Sequence, residues 1–597
     1  MSIFYLTVIK TIKNKTNFSF VKVKIQIVLT TLLLFVPSFT EKASPQNQPI
    51  YNNEDIFHPV VAQRGMVATQ EAVATQAGLA VLQEGGNAID AAVTVGFTLA
   101  VTLPRAGNLG GGGFMLIHLA DSQETIALDY RETAPQGATR DMFLDANGEA
   151  DPEKSRSSYL AVGVPGTVAG MVMALEKYGT ISLERALQPA IELAEKGVIV
   201  SQGFHNSLVY AQPSMAKYPA SREIFLKPDG TVYQVGEKLI QADLANSLKL
   251  IARQGKSAFY QGEIAQAIAA DMEANGGLIT LADLANYSPV VRSPIKGNYR
   301  GYEIYSMPPP SSGGIHLIQM LNILEKFPIR TLGHNRARTI HLMAESMKLA
   351  YADRSRFLGD PDFVNIPISG LVSKSYADQL RLRINPQQAT PSTEIAPGNP
   401  QQFAESNETT HYSIIDRYGN AVANTYTLNF SYGTGITVPG TGILLNNEMD
   451  DFTSKPGTPN VFGLITGELN AVEPRKRMLS SMTPTIVMEQ GKPFLVTGSP
   501  GGSRIITTTM QVIMNVIDHR MNIAAATNAV RVHHQWFPDQ LVVEKGLNGD
   551  TVELLTGKGH QVVKARAIGS TQSVMNVNGI FYGASDPRRR DALTLGY

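Results

Sequence analysis

Apolar residues recur at helical spacing through much of the first two thirds of the chain. From about Thr69 to Leu103 an alanine-rich pattern predicts two helices. They are separated at Gly85-Gly86-Asn87, where glycine ends one helix and a new one starts. Helical spacing also dominates residues 165–275 and 336–356. We therefore expect helices before residue 103 and through the middle of the chain.

Short apolar runs predict strands in two places. Two strands, at 115–119 and 125–130, follow a glycine-rich block and end at Arg131. Four more are expected at 410–416, 421–429, 484–489 and 493–498. The chain therefore turns β-rich after about residue 409.

The segment 385–408 separates these two regions and has a different composition. Four prolines lie there among Gln, Ser, Thr, Asn and Glu, with little apolar surface to bury. We expect an exposed, flexible linker that is open to cleavage.

A predicted hairpin starts abruptly after this linker. The first strand begins near Thr409, and the return strand carries Thr425, Thr427 and Asn429 on one face because they are two residues apart. Folding the hairpin at Tyr418-Gly419 brings Thr427 and Asn429 opposite Thr409, with the register uncertain by one residue. From spacing alone, a catalytic threonine and ordinary β-propensity both explain the pattern.

Composition narrows the class of protein. The 597 residues are 43% hydrophobic and 17% charged, with 51 basic and 51 acidic residues, so no global charge attracts nucleic acid. The chain has no cysteine, which excludes disulfides, thiol catalysis and cysteine-ligated metals. An enzyme or a ligand-binding protein with a large core remains.

Residues 1–43 are expected to be a signal peptide. Several lysines precede an apolar run, Ile25 to Val36, which is shorter than the roughly 20 residues needed to span a bilayer. A single uncleaved anchor helix is the alternative. We favour export, to the periplasm or outside the cell.

Several ordered motifs resemble those of the γ-glutamyltranspeptidases, which are self-processing N-terminal nucleophile hydrolases. The resemblance runs from about residue 58 to Tyr597 and is strongest in the segment Thr409–Asn429 with the following Gly433-Thr-Gly435. The other matching blocks are Gly107-Asn-Leu-Gly-Gly-Gly-Gly-Phe-Met115, Tyr130-Arg-Glu-Thr-Ala-Pro135, Pro308-Pro-Pro-Ser-Ser-Gly-Gly-Ile-His316, Leu444-Leu-Asn-Asn-Glu-Met-Asp-Asp-Phe452, Leu479-Ser-Ser-Met-Thr-Pro484 and Thr497-Gly-Ser-Pro-Gly-Gly-Ser-Arg504.

The resemblance implies an α+β fold, the four-layer αββα sandwich of the N-terminal nucleophile hydrolases. It also implies that the precursor cuts itself between Glu408 and Thr409. Residues 44–408 would become a large subunit and 409–597 a small catalytic subunit, and the resulting heterodimer would share one core.

The same resemblance implies the chemistry. The freed α-amine of Thr409 would act as the base for its own hydroxyl, as in the threonine variant of nucleophilic catalysis. Thr427 matches the position that hydrogen-bonds the nucleophile. Gly501 and Gly502 match the oxyanion-hole pair, whose backbone N–H groups face the developing negative charge.

The predicted substrate is a γ-glutamyl compound such as glutathione, and water or an amino acid or dipeptide would accept the γ-glutamyl group. The α-carboxylate would bind Arg131 together with the hydroxyls of Ser480 and Ser481. The α-ammonium would bind the residues that match the family's acceptors, which are Asn429, Glu448 and Asp451. No metal or organic cofactor is required.

A lid is predicted at residues 455–467, where the aromatic residue is Phe462. Bacterial relatives often have tyrosine there, and phenylalanine has no hydroxyl to donate, so we expect looser closure. The adjacent His533 and His534 should point to opposite faces of a strand and serve a structural role.

Three alternatives remain. A β-lactam acylase of the cephalosporin type could use the same Thr409, since only the accepted side chain differs. A serine amidase could use Ser311, Ser312 or Ser499, although none lies in a nucleophile-elbow motif. A non-enzymatic solute-binding protein would have no use for a threonine after a cleavable linker.

Overall fold

The first two helices break where the sequence predicts. In the computed structural model, which describes residues 56–400 and 411–597, helix α1 spans Ala72–Gln83 and α2 spans Ala88–Thr102. Asn87 caps α2: its side chain accepts from the N–H groups of Ile89 and Asp90, and Asp90 completes a capping box. The predicted break is therefore a helix start fixed by local hydrogen bonds.

Seventeen further helices are found among the described residues, most of them before the expected linker. The long helical pattern at 336–356 is confirmed as Ala337–Phe357. In chain order the helices are α3 (Pro152–Arg156), α4 (Thr167–Tyr178), α5 (Leu183–Lys196), α6 (Gln202–Met215), α7 (Pro219–Phe225), α8 (Ala242–Gln254), α9 (Lys256–Tyr260), α10 (Glu263–Ala274), α11 (Leu281–Asn286), α12 (Gly313–Glu325), α13 (Ile329–Leu332), α14 (Ala337–Phe357), α15 (Ile368–Leu371), α16 (Lys374–Arg381), α17 (Ile505–Ile517), α18 (Ile523–Asn528) and α19 (Gly549–Gly557).

Two seven-stranded antiparallel sheets carry most of the strands. The first sheet has the order β1 (Val60–Ala62), β20 (Ile580–Ser585), β19 (Gln572–Val577), β15 (Lys492–Thr497), β14 (Thr485–Glu489), β9 (Tyr302–Ser306) and β8 (Ile295–Tyr299). The second has the order β21 (Leu593–Gly596), β2 (Met66–Thr69), β10 (Tyr412–Ile415), β11 (Ala421–Thr427), β3 (Gly112–Leu119), β4 (Glu124–Tyr130) and β7 (Val290–Arg292). Both sheets contain strands from each side of residue 409.

The remaining strands form small sheets. These are β5 (Val198–Ile199) with β6 (Lys238–Leu239), β12 (Thr437–Val438) with β13 (Ile443–Leu444), and the three strands β16 (Val532–His533), β17 (Leu541–Glu544) and β18 (Val562–Ala565).

The two large sheets pack against each other through one apolar cluster. Phe114 and Leu116 of β3 meet Ile486 of β14 and Val496 of β15 there, all fully buried. The opposite face of each sheet packs against helices, because alternate strand residues point to opposite faces. The fold is thus mixed α+β, with both sheets buried on both faces.

The hairpin predicted after residue 409 is present. β10 pairs with β11 in a register that sets Tyr412 opposite Asn424 and Ile415 opposite Ala421. The expected return strand, 421–429, is too long: β11 ends at Thr427, and Asn429 has a left-handed backbone with φ of 71°. The shared strand face therefore holds for Thr425 and Thr427 but not for Asn429.

Residues 385–400 are largely exposed, as the composition predicts, but a few of them are anchored to the rest of the protein. Ser392 is fully buried, and its backbone N–H donates to Asp539 Oδ2 over 2.8 Å. The Trp536 indole donates to the carbonyls of Ser392 and Ile395, each at 3.0 Å. Polar side chains that lie more than 100 residues away therefore fix the backbone of this segment, which composition alone cannot indicate.

Two expectations fall on residues outside the described ranges. These are the signal peptide at 1–43 and the cleavage site at Glu408 and Thr409. Within the described ranges, no helix has the length and apolar character needed to cross a membrane.

Candidate active site

Arg131 lies directly after β4 and is fully buried. Its Nη1 forms an ion pair with Glu448, and its Nη2 donates to Asp451 Oδ2 over 2.8 Å. The backbone is held as well, since the Arg131 N–H donates to Asp129 over 3.0 Å and its carbonyl accepts from the Tyr287 hydroxyl over 2.8 Å. The guanidinium group thus has a fixed position inside the protein.

Three buried carboxylates surround this one arginine. Glu448 and Asp451 come from a single 3-10 turn, Glu448–Asp451, and Glu132 follows Arg131 in sequence. Burial raises the pKa of Asp451 to about 6 and the pKa of Glu132 to about 7, although Arg131 opposes both shifts. Burial also raises the pKa of Glu448 well above its ordinary value. The cluster therefore has three buried carboxyl groups for one guanidinium, and burial favours the uncharged form of these carboxyl groups.

Several polar atoms in this cluster have no hydrogen-bond partner among the described residues. They include both carboxylate oxygens of Glu132, Oε2 of Glu448, and the hydroxyls of Ser480 and Ser481. Buried polar groups in native proteins are usually paired. Unpaired hydroxyl groups and carboxylate oxygens of this kind are suited to a ligand that has both an anionic and a cationic group.

Two side chains hold the backbone of Ser480 in place. Its carbonyl accepts from Ser312 Oγ at 2.8 Å and from Arg354 Nη2 at 3.3 Å. Arg354 belongs to α14 and is buried, and its positive charge opposes the rise in the pKa of Asp451. Sequence reasoning missed Arg354, since only the fold brings α14 to this turn.

Thr427 and Asn429 lie at the end of β11 on the way to the same cluster. The Thr427 hydroxyl accepts from the Asn429 N–H at 2.8 Å. The Asn429 side chain donates to the carbonyl of Asn447 at 3.0 Å, and Asn447 directly precedes Glu448. Hydrogen bonds therefore connect the end of the hairpin with the carboxylate turn.

The glycine block before β3 allows the backbone to approach these residues closely. A Cβ atom on Gly111 would lie 2.0 Å from the Thr427 carbonyl oxygen, and one on Gly112 would lie 2.6 Å from Glu132 Oε2. A side chain at either position would displace the hairpin or the glutamate. This explains the block as a packing feature rather than a phosphate loop.

Gly501 and Gly502 precede helix α17 and have positive φ angles of 136° and 55°. Neither N–H group has a hydrogen-bond partner among the described residues. The ring of Phe462 covers Gly502, because a Cβ there would lie 2.5 Å from Phe462 Cδ1, and it packs edge-on against Phe430 at 6.1 Å. The predicted lid therefore lies over the predicted oxyanion pair, while looser closure stays a prediction.

The serine alternatives have structural partners instead of a catalytic base. Ser311 Oγ donates to the Met482 carbonyl, Ser312 Oγ donates to Ser480, and Ser499 Oγ donates to the Pro500 carbonyl. Among the described residues, no histidine forms a hydrogen bond with any of these three hydroxyl groups.

The adjacent histidines have separate partners. His533 Nδ1 lies 2.8 Å from Thr507 Oγ1, whereas His534 Nε2 lies 3.2 Å from Asp539 Oδ1. These contacts agree with the predicted structural role and the opposite faces.

One group within the described ranges carries possible metal ligands close together, namely His341, Glu345 and His560. Lys348 Nζ lies 2.6 Å from Glu345 Oε1, so the carboxylate already has a cationic partner. His341 Nε2 donates to the Asn385 carbonyl at 2.7 Å. The group thus holds the segment that precedes the predicted cleavage site.

Comparison with known proteins identifies the family. The model of the γ-glutamyltranspeptidase family matches residues 74–595. The chain belongs to this family. The glutathione hydrolase proenzyme of Escherichia coli (strain K12) is 54% identical over 574 residues, which cover 96% of this chain and 98% of that protein.

Solved structures of similar proteins agree with membership of the γ-glutamyltranspeptidase family. A cephalosporin acylase from Bacillus halodurans superposes with a TM-score of 0.81 at 28% identity, covering 93% of this chain and 99% of that one. The Helicobacter pylori γ-glutamyltranspeptidase matches with a TM-score of 0.55 at 47% identity, covering 58% of this chain and 97% of that one. The expected family and the α+β fold class are therefore confirmed.

Proposed function

We propose that this chain is the precursor of a γ-glutamyl hydrolase and transferase that acts on glutathione and related γ-glutamyl amides. The buried cluster around Arg131 carries the proposal. Its two unpaired hydroxyls, on Ser480 and Ser481, would bind an α-carboxylate together with Arg131. The guanidinium now pairs with Glu448 and Asp451, and these two carboxyl groups would bind an α-ammonium. The Escherichia coli relative is named for the hydrolysis of glutathione, which supports the same donor here.

The register of the hairpin supports Thr409 as the nucleophile. β10 and β11 are antiparallel, with Tyr412 opposite Asn424. Each residue before Tyr412 therefore corresponds to one residue after Asn424. If the pairing continued three residues further, position 409 would be the counterpart of Thr427. The hydroxyl of Thr427 would then be within reach of the nucleophile.

Processing would begin when the Thr409 hydroxyl attacks the Glu408 carbonyl carbon. The peptide C–N bond breaks, the hydroxyl proton passes to the departing nitrogen, and an ester and a free α-amine result. Water then hydrolyses the ester, which leaves a carboxylate on Glu408 and restores the Thr409 hydroxyl. The new α-amine has an ordinary pKa of about 7.7–8.0, so part of it is unprotonated near neutral pH.

Turnover would use that amine as the base. It takes the proton of the Thr409 hydroxyl, whose oxygen attacks the γ-carbonyl of the donor, and the proton passes to the leaving amine. The N–H groups of Gly501 and Gly502 would stabilise the negative charge on the carbonyl oxygen. Water or an acceptor amine then releases the γ-glutamyl group from the ester.

Substrate recognition favours a γ-glutamyl donor over a β-lactam with a glutaryl side chain. The two donors differ in the α-ammonium, and Glu448 and Asp451 would face that group. A donor without it would offer these two buried carboxyl groups no cation to pair with. The acylase remains the second candidate because of the structural similarity to a cephalosporin acylase.

The proposal extends to the architecture and the location. The two sheets and their flanking helices would form the four-layer αββα sandwich of the N-terminal nucleophile hydrolases. Residues 44–408 and 409–597 would remain together after cleavage, since β10 and β11 pair with β2 and β3 from the other side of the cut. The basic and apolar start of the chain supports export to the periplasm or beyond.

A chromogenic assay tests the function. The purified protein should release nitroaniline from γ-glutamyl-p-nitroanilide, and a dipeptide acceptor should accelerate the release. The Thr409→Ala variant should be inactive. Faster release from glutaryl-p-nitroanilide than from the γ-glutamyl anilide would favour the acylase instead.

A further inference from the structure

Asn460 is the centre of a tight turn in the lid. Its Oδ1 accepts hydrogen bonds from the N–H groups of Phe462 at 3.0 Å and Leu464 at 3.1 Å. Its own N–H donates to the Leu464 carbonyl at 3.0 Å, and its carbonyl accepts from the Gly463 N–H at 2.9 Å. One side chain therefore fixes the backbone that carries Phe462.

The same side chain also reaches the substrate cluster. Asn460 Nδ2 donates to Asp451 Oδ1 over 3.2 Å, while the other oxygen of Asp451 accepts from Arg131. Asp451 thus joins the predicted carboxylate ligand on one side to the lid on the other. The neighbouring Val461 N–H donates to Asp450 Oδ2 at 3.4 Å and keeps the lid beside this turn.

A second attachment holds the lid at the oxyanion loop. Gln535 Nε2 donates to the Phe462 carbonyl over 2.9 Å, and Gln535 Oε1 accepts from Ser503 Oγ over 2.7 Å. Ser503 directly follows Gly502. This attachment does not involve Asp451, so the two ends of the lid can be perturbed separately.

We propose that Asn460 is a positioning residue that couples lid closure to Asp451 and thereby determines how strongly the enzyme prefers donors that carry an α-ammonium. The inference rests on the proposed function. Asn460 orients one oxygen of Asp451 and, with the same amide, shapes the turn under Phe462. A donor whose ammonium binds Asp451 stabilises the orientation of Asp451 and the lid turn under Phe462. A donor without an ammonium stabilises neither the aspartate nor the turn.

Asn460→Asp separates the two contacts. Aspartate keeps an oxygen that accepts from the N–H groups of Phe462 and Leu464, but it loses the donor to Asp451 and adds a second carboxylate beside it. Gln535→Glu is the matched control, because it keeps the acceptor for Ser503, adds the same charge, and loses the donor to the carbonyls of Phe462 and Phe537 without touching Asp451. Asn460→Ser removes the reach to Asp451 without adding charge.

The test compares γ-glutamyl-p-nitroanilide with glutaryl-p-nitroanilide in the processed enzymes. We expect Asn460→Asp to raise the Michaelis constant for the γ-glutamyl donor roughly tenfold, with kcat changing less, and to lower the γ-glutamyl preference by a similar factor. Asn460→Ser should act in the same direction. Gln535→Glu should affect both donors alike and keep the preference.

A Michaelis constant that stays within about twofold of wild type in Asn460→Asp would overturn the coupling, as would an equal loss for both donors. A wild-type protein that is folded and cleaved but hydrolyses neither anilide would instead reject the proposed function. The two failures are distinguishable, because failure of the coupling can be measured only when the wild-type enzyme is active.

Discussion

Arg131 and Asp451 form a buried ion pair, with Nη2 of the arginine 2.8 Å from Oδ2 of the aspartate. The aspartate also accepts from Asn460 in the lid, and the arginine also contacts Glu448. One pair of side chains therefore connects the end of β4, the carboxylate turn and the lid.

Arg131→Lys should weaken donor binding. Lysine keeps the charge but cannot form two parallel hydrogen bonds to a carboxylate, and it cannot contact Glu448 and Asp451 in the same way. We expect a fall in kcat/KM of roughly 10- to 100-fold, mainly through the Michaelis constant, measured with γ-glutamyl-p-nitroanilide. Arg140→Lys, at a surface pair with Glu468, is the control. An unchanged Michaelis constant would remove Arg131 from the binding site.

Glu132→Gln should stabilise the protein more as the pH rises. Burial raises the pKa of Glu132 from 4.5 to about 7. The folded wild type then binds the proton more tightly than the unfolded chain, so raising the pH from about 4.5 to about 7 removes stability. Glutamine does not titrate, and the melting temperature of the variant minus that of wild type should increase over this range. A flat difference for Glu132→Gln would contradict the raised pKa.

Gly502→Ala should lower activity for two reasons, a steric clash with Phe462 and a backbone conformation that is unfavourable for alanine. A second substitution can relieve the clash. The added Cβ would lie 2.5 Å from Phe462 Cδ1, and the φ of 55° is unfavourable for alanine. We expect kcat/KM to fall roughly 100-fold. Combining it with Phe462→Ala should recover part of that loss by removing the steric clash. A double variant whose losses simply add would show that the ring does not press on Gly502 in the active enzyme.

Trp536→Phe should loosen the segment before the cleavage site. Phenylalanine keeps the ring but loses the indole donor to the carbonyls of Ser392 and Ile395, at a cost of roughly 1–3 kcal/mol. Limited proteolysis followed by mass spectrometry should show faster cutting within 385–400. The exposed Tyr210→Phe variant should behave as wild type. Equal cutting rates would mean that other contacts hold the segment.

Local features of the fold could be predicted from the sequence. The break before Asn87 and the hairpin of β10 and β11 depend on neighbouring residues, and both lie where the pattern places them. The left-handed Asn429 could not be predicted, because its conformation is supported by Asn447 and not by strand periodicity. The alternation of residues indicates the local preference of the chain, and here it predicts a strand two residues longer than β11.

The site was predicted only through resemblance, and the missing parts are tertiary. Arg131 lies with Glu448 and Asp451, although it precedes both by more than 300 residues in sequence. The sequence could have indicated Glu132 as a site residue, since it follows Arg131 within the same motif. Nothing in the sequence indicated Asn460 and Gln535, because their roles depend on contacts between segments that only the fold brings together.

The most direct test of the account is the intact mass and N-terminal sequence of the purified protein, with Thr409→Ala and Thr410→Ala alongside. We predict two chains for the wild type, the smaller one beginning Thr-Thr-His. Thr409→Ala should remain a single uncut chain, whereas Thr410→Ala should still be cut. A wild-type chain that is folded but stays whole would leave Thr409 without a free amine, and the proposed mechanism would be wrong.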